Sequence, residues 1–338
     1  MTTQRKALFH AAWPALLPYA GLSALVLFVL FLGDYGVPHA CGLVVISTEA
    51  LGWATSTSHP LRALWPVIPT LAITFIAFTV AMEFWRKNAN SIKLEHADIH
   101  YSGSIGRRVS IGLAAVCWGT PFATMGFKLG GFSVLEEAVT TYASDLAWTL
   151  AVAGTAGCVS AITAVGLAAV LRPLFVAPWF LLFGACPGAI VGMAMVAGYN
   201  HEALGWVYDD WPILVLCYVA RFGWIPILTA ALSVQRSRSL ALGAQCDGAT
   251  PAVAFLWIVA PVHRASWFAC AAMVAALSAA DVAASTMVRV PRFSPIAHIL
   301  IEKFHRFEDG MLISLSLILV GVSVIAAAIV GGLARRRD

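Results

Sequence analysis

The stretch Leu240–Pro261, LALGAQCDGATPAVAFLWIVAP, lies between two long apolar segments, and its reading decides the rest. Leu240 to Cys246 predicts a short helix. Asp247-Gly248 is a turn signal, because glycine adopts positive φ at little steric cost. Ala249 to Val259 predicts a second short helix, closed by Pro261, which cannot donate a backbone hydrogen bond. An element of this kind between membrane spans is either a plain loop or a rigid knob through which the chain receives work from a partner.

Outward from this stretch the chain is apolar. Of its 338 residues, 60% are hydrophobic and 11% charged, whereas soluble domains carry about 25% charged residues. A polytopic membrane protein follows, built of helices or a closed barrel. The apolar runs are long and lack the alternation of barrel strands, so an all-α fold is expected. The first apolar run is long and no convincing small-residue cleavage site follows it, which reads as a span rather than a cleavable signal peptide. Seven cysteines are scattered, none in a CxxC pair, and most lie within apolar runs. They read as small hydrophobes rather than a disulfide framework or zinc site.

About eight transmembrane helices are predicted, at roughly 15–32, 66–84, 109–127, 147–171, 174–198, 211–233, 266–285 and 311–333, each about long enough for a 30 Å hydrocarbon core. With both termini cytoplasmic, fourteen Lys and Arg residues fall on the inner side and six on the outer, with Arg221 inside a span. This bias predicts that orientation in the cell inner membrane. Arg86 to Arg108 is the most polar stretch. The chain therefore divides into a two-span piece (1–85), a cytoplasmic linker (86–108) and a six-span unit (109–338) that carries the loop 235–261.

The short piece matches the end of the long one. A single shift of 247 residues places Pro14 on Pro261, Asp34 on Asp281, and Thr3, Ala7, Ala24 and Leu30 on Thr250, Ala254, Ala271 and Leu277. Repeats of this kind are frequent in transporters. Under the same shift Met1 falls on Gly248. The first copy then starts just after its own turn glycine, and either its other half lies elsewhere or the start is late.

The stretch resembles the coupling loop of binding-protein-dependent ABC importer permeases, the type I importers. That family's pattern is Glu-Ala-Ala, three residues, Gly, nine residues and Ile-x-Leu-Pro. Here Leu242-Gly243-Ala244 stand for Glu-Ala-Ala, Gln245 to Asp247 fill the gap before Gly248, and Ala249 to Trp257 lead to Ile258-Val259-Ala260-Pro261. The acidic residue is replaced by Leu242 and the first Ala by Gly243. Tyr218-Val219-Ala220-Arg221-Phe222 with Pro226, Asp281 to Ser285 with Pro291, and Gly33 to Pro38 resemble segments of the ferric-iron and thiamine branch.

The resemblance implies a type I permease fold with one complete half and a C-terminal remnant of another. It implies a subunit that moves a small solute, ferric iron favoured, delivered by a periplasmic binding protein. A cytoplasmic ABC ATPase dimer would drive it, with a second permease half as a further partner beside the lipid bilayer. No enzyme activity, cofactor, metal or nucleic acid is expected in this chain, which shows no GxxxxGK[ST] phosphate loop; ATP would be hydrolysed by the partner. The ATPase-coupling residues would be Leu242, Gly243, Ala244, Asp247, Gly248, Phe255, Trp257, Ile258 and Pro261. Phe255, Leu256, Trp257 and Ile258 would form the apolar anchor, aromatics carrying much of the energy of such contacts; the plainer reading lays them against the membrane interface.

Arg221, Asp281 and Asp34 are candidates for a pathway or gate. A charge inside a span costs about 2.5–3.5 kcal/mol on insertion scales, so Arg221 should face the bundle or water. Its plainer role is to pair with a carboxylate or with helix carbonyls. Asp34 and Asp281 would pair across the two copies or meet headgroups. His96 and His100 have an i, i+4 spacing that suits a metal, but a solvated linker is the preferred reading. Glu136-Glu137 and Asp209-Asp210 read as outer-loop acids that meet a binding protein or water. Small residues such as Ala153-Gly154-Thr155-Ala156-Gly157 allow close helix packing. Two rival functions stand beside the permease: an ion-gradient-driven transporter, which would need midplane carboxylates, and a degenerate permease with an assembly role, favoured by Leu242 and the partial first copy.

Overall fold

The computed structural model describes residues 20–21, 23–25, 27–56, 65–89, 104–171, 173–288, 290–291 and 294–335. Every regular element among them is helical. A helix ending at Leu32 is followed by α1 (Gly36–Ala40), α2 (Ile46–Ser56), α3 (Ile68–Ala89), α4 (Ser104–Lys128), α5 (Phe132–Thr141), α6 (Ala143–Val170), α7 (Pro173–Ala185), α8 (Gly188–Tyr199), α9 (Pro212–Phe222), α10 (Trp224–Arg236), α11 (Arg238–Cys246), α12 (Pro251–Val262), α13 (Arg264–Ala279), α14 (Ala283–Met287), α15 (Ile296–His305) and α16 (Asp309–Arg335). The linker histidines, Met1–Pro14 and most of the linker lie outside the described residues.

Among the described residues, two helices, α6 and the stretch Asp309–Ala328 of α16, are long and apolar enough to cross a membrane, and up to five spans result if each of three bent pairs counts as one. Of the about eight predicted spans, the described residues thus show two to five by length and apolarity. The stretch 174–198 breaks into α7 and α8, bent by 99°. The break sits at Cys186-Pro187, where Pro187 is extended (ψ 136°) and proline disfavours helix in the residue before it. The stretch 211–233 bends by 47° between α9 and α10 at Gly223, three residues before Pro226, which has no N–H to give the preceding turn. The span predicted to end near 285 stops at Ala279, and its last residues form the separate α14.

The core is centred on α6, which packs along α13 and also meets α9, α10 and α12. Its small residues bring the backbones together: Ala153 and Ala156 are buried, and a Cβ on Gly157 would stand 2.3 Å from the Ala271 carbonyl oxygen of α13. Gly154, three residues earlier, faces open space. Gly157→Val is therefore expected to destabilise the protein by about 1–3 kcal/mol through overpacking, read as a lowered thermal midpoint in detergent. Gly154→Val should stay near wild type.

The run from Phe31 to Ala40 has the same local structure as Ser278 to Met287, the same 247-residue shift apart. In each, a helix ends, one turn residue and two irregular residues follow, and a five-residue helix begins. A helix of ten or eleven residues (α2, α15) and a long helix (α3, α16) then follow in both. Rings of His39 in the first run and His305 at the end of α15 lie 5.5 Å apart. Lys303 pairs with Glu308 at 2.6 Å and Arg306 with Glu302 at 2.7 Å, so basic residues of this segment are offset locally. The Glu308 carboxylate holds the Lys303 ammonium above its ordinary range.

Candidate functional site

The knob is built by local signals. Helix α11 ends in a Schellman arrangement: Gly248 N–H donates to the Gln245 carbonyl at 3.0 Å and Ala249 N–H to the Ala244 carbonyl at 3.0 Å. Gly248 has φ +90°, the left-handed conformation that this cap requires and glycine supplies. Helix α12 starts at Pro251, two residues later than the predicted Ala249. Thr250 caps it, its Oγ1 accepting from Val253 N–H at 3.3 Å, with Pro251 in the first position, where no N–H is needed.

Pro261 does not close this helix, as the sequence suggested. Phe255–Val259 widen into a π turn, after which the α-helix continues through Val262. A widened turn relieves the clash of a proline ring with the preceding carbonyls. The chain then bends by 78° at His263 into α13. Trp267 Nε1 donates back across the bend to the Ala260 carbonyl at 3.2 Å, and His263 Nε2 lies 2.8 Å from Ser237 Oγ at the start of α11. The knob is thus tied at its base to α10 and α13.

The coupling residues divide into an outer and an inner set. Leu242, Gly243, Asp247, Gly248, Trp257 and Pro261 are exposed, and Ala244 and Ile258 are half-buried. Trp257 is 78% exposed, whereas Phe255 is 4% exposed and packs edge-on against Trp267 at 6.4 Å. The predicted four-residue anchor is therefore corrected. Phe255 fastens the knob to the bundle, leaving Leu256 and Trp257 outside.

The second predicted group converges inside the bundle. Arg221 Nη1 donates to Asp281 Oδ1 at 2.8 Å, and Nη2 donates to the Gly33 carbonyl at 2.8 Å; Arg221 and Asp281 are each 6% exposed. Asp281 is buried and pairs with this guanidinium rather than with Asp34, as a buried carboxylate needs a counter-charge. Asp34 instead turns its Oδ1 to the Gly36 N–H at 3.0 Å, at the start of α1. Gly33 and Ala280 correspond under the 247-residue shift, so one side chain holds both runs at neighbouring equivalent positions. The approach depends on Gly188, the first residue of α8: a Cβ there would stand 1.4 Å from Arg221 Nη1. Nothing in the sequence pointed to Gly188, because its role appears only once Arg221 lies against it.

The outer-loop acids do not join this group. Glu136 and Glu137 are exposed on α5, and Asp210 accepts from Trp211 N–H at 2.8 Å. Among the described residues, no three His, Cys, Asp or Glu side chains are grouped as a metal would need. No protein-family model matches this sequence, and no curated protein matches it.

Proposed function

We propose that this chain is a permease component of an ATP-driven type I ABC importer, which moves a small solute, ferric iron favoured, delivered by a periplasmic binding protein. The observation that carries the reading is the knob. Two short helices meet at a positive-φ glycine, their joint is exposed, and the whole is braced by Phe255, Trp267 and His263. A rigid projection with an exposed aromatic suits docking in a partner's groove. The motif spacing around Gly248 is what turns a docking knob into a coupling knob.

In this reading the knob faces the cytoplasm and transmits the closure of an ATPase dimer to α10 and α13. The recurrence of local structure across 247 residues supports treating 20–56 as the counterpart of 267–303. The Arg221 tie then joins a partial first half to a complete second one, and solute crosses between such halves. A tagged full-length chain purified from its native host is expected to bring down an ATP-hydrolysing subunit. Recovery of the folded chain with no ATPase, from cells that express one beside it, would sink the reading.

A further inference from the structure

Between α10 and α13 lies a cavity of about 310 Å³. One face of α10 lines it with Ile225, Thr229, Ser233 and Arg236, and one face of α13 with Ser266, Ala269 and Met273, below His263 at the bend. Ser233, Ile225 and Cys270 are buried and form its floor, while Arg236, Ala269 and Met273 are exposed and form its mouth.

The chemistry of the lining is one-sided. At the knob end stand Arg236 and His263, with the hydroxyls of Ser233 and Ser266 beside them, and no lining residue is acidic. Arg236 has no carboxylate partner among the described residues. The floor is satisfied internally: Cys270 Sγ donates to the Ser266 carbonyl at 2.8 Å and lies 3.3 Å from Thr229 Oγ1, which itself donates to the Ile225 carbonyl. Away from Arg236 the lining is mostly apolar, with Ile225, Leu232, Ala269 and Met273. The volume is at the lower end of ligand pockets, about 300–1,000 Å³.

We infer that this cavity binds the phosphate of an anionic membrane lipid from the leaflet on the knob's side, with Arg236 on the phosphate and an acyl chain along Leu232, Ala269 and Met273. Basic pockets between transmembrane helices are suited to such headgroups, and a guanidinium matches phosphate geometry through paired donors. A zwitterionic lipid brings a cation that meets Arg236 unfavourably. A lipid lodged there props the two helices from which the knob hangs. The inference stands on the cavity alone and does not require the importer reading.

The test is native mass spectrometry of the full chain in detergent micelles doped with phosphatidylglycerol or phosphatidylcholine. One phosphatidylglycerol should remain bound per chain, with phosphatidylcholine retained far less. Arg236→Gln should weaken retention tenfold or more, the loss of a charge-assisted hydrogen bond. Arg238→Gln removes the same charge from the exposed start of α11 and should change little. Ala269→Phe fills the mouth and should expel the lipid with Arg236 intact. Inorganic phosphate at millimolar concentration should fail to displace the lipid. Displacement by phosphate would overturn the lipid and assign a soluble phosphate source. Equal retention of both lipids, or full retention by Arg236→Gln, would overturn the site.

Discussion

Arg221→Met and Asp281→Leu, made singly, are each expected to cost about 3–5 kcal/mol, because each leaves the other charge buried and unpaired. The double variant should recover most of that loss, since an apolar pair of similar volume fits a dry site at least as well as an ion pair. The geometry makes the singles unequal. Removing Asp281 leaves the guanidinium its bond to the Gly33 carbonyl, whereas removing Arg221 orphans both the carboxylate and that carbonyl. Asp281 Oδ2 already lacks a hydrogen-bond partner, so Arg221→Met should be the worse of the two. Gly188→Ala should resemble it, because a methyl group 1.4 Å from Nη1 must push the guanidinium off its partners. Thermal midpoints in detergent and the monodisperse fraction on gel filtration measure all four variants. A single variant as stable as wild type would show that the tie contributes nothing. If the double variant is stable but no longer transports, the pair acts as a gate as well as a tie.

This tie marks the boundary of what the sequence could reveal. Hydropathy located the apolar segments, because burial of long apolar runs is a local property of composition. It could not foresee their bends: Pro187 and Pro226 sat in view, but a proline in a span either kinks it or is absorbed by neighbours, and tertiary packing decides which. The Asp247-Gly248 turn was legible because its requirement, a positive φ after a short helix, concerns one residue. The Arg221–Asp281 pair spans 60 positions, and its partners were individually suspect but not jointly assignable. The division of Phe255 from Trp257, by contrast, was open to view. Side chains two positions apart on a helix point about 200° away from each other, so four consecutive residues, Phe255 to Ile258, could not all face one groove.

That division sharpens the largest functional effect expected at the knob. In the proposed importer, Trp257→Ala should weaken docking of an ATPase by at least about 2 kcal/mol, roughly 30-fold in Kd, while leaving the thermal midpoint unchanged, since the ring is mostly exposed. Phe255→Ala should do the reverse at first hand, costing about 3–5 kcal/mol of stability through the cavity it leaves beside Trp267. Gly248→Pro attacks the joint between the two helices. Proline fixes φ near −65° where the fold needs +90°. It also removes the N–H that Gly248 donates to the Gln245 carbonyl. The core of the bundle lies elsewhere, so the variant should insert and accumulate normally. With the angle between α11 and α12 lost, ATP hydrolysis should proceed without solute uptake in reconstituted vesicles. Gly248→Ala keeps the N–H and strains only φ, so it should fall between wild type and Gly248→Pro. Uptake by Gly248→Pro at the wild-type rate would remove the coupling role from this loop, whatever the tryptophan variant does.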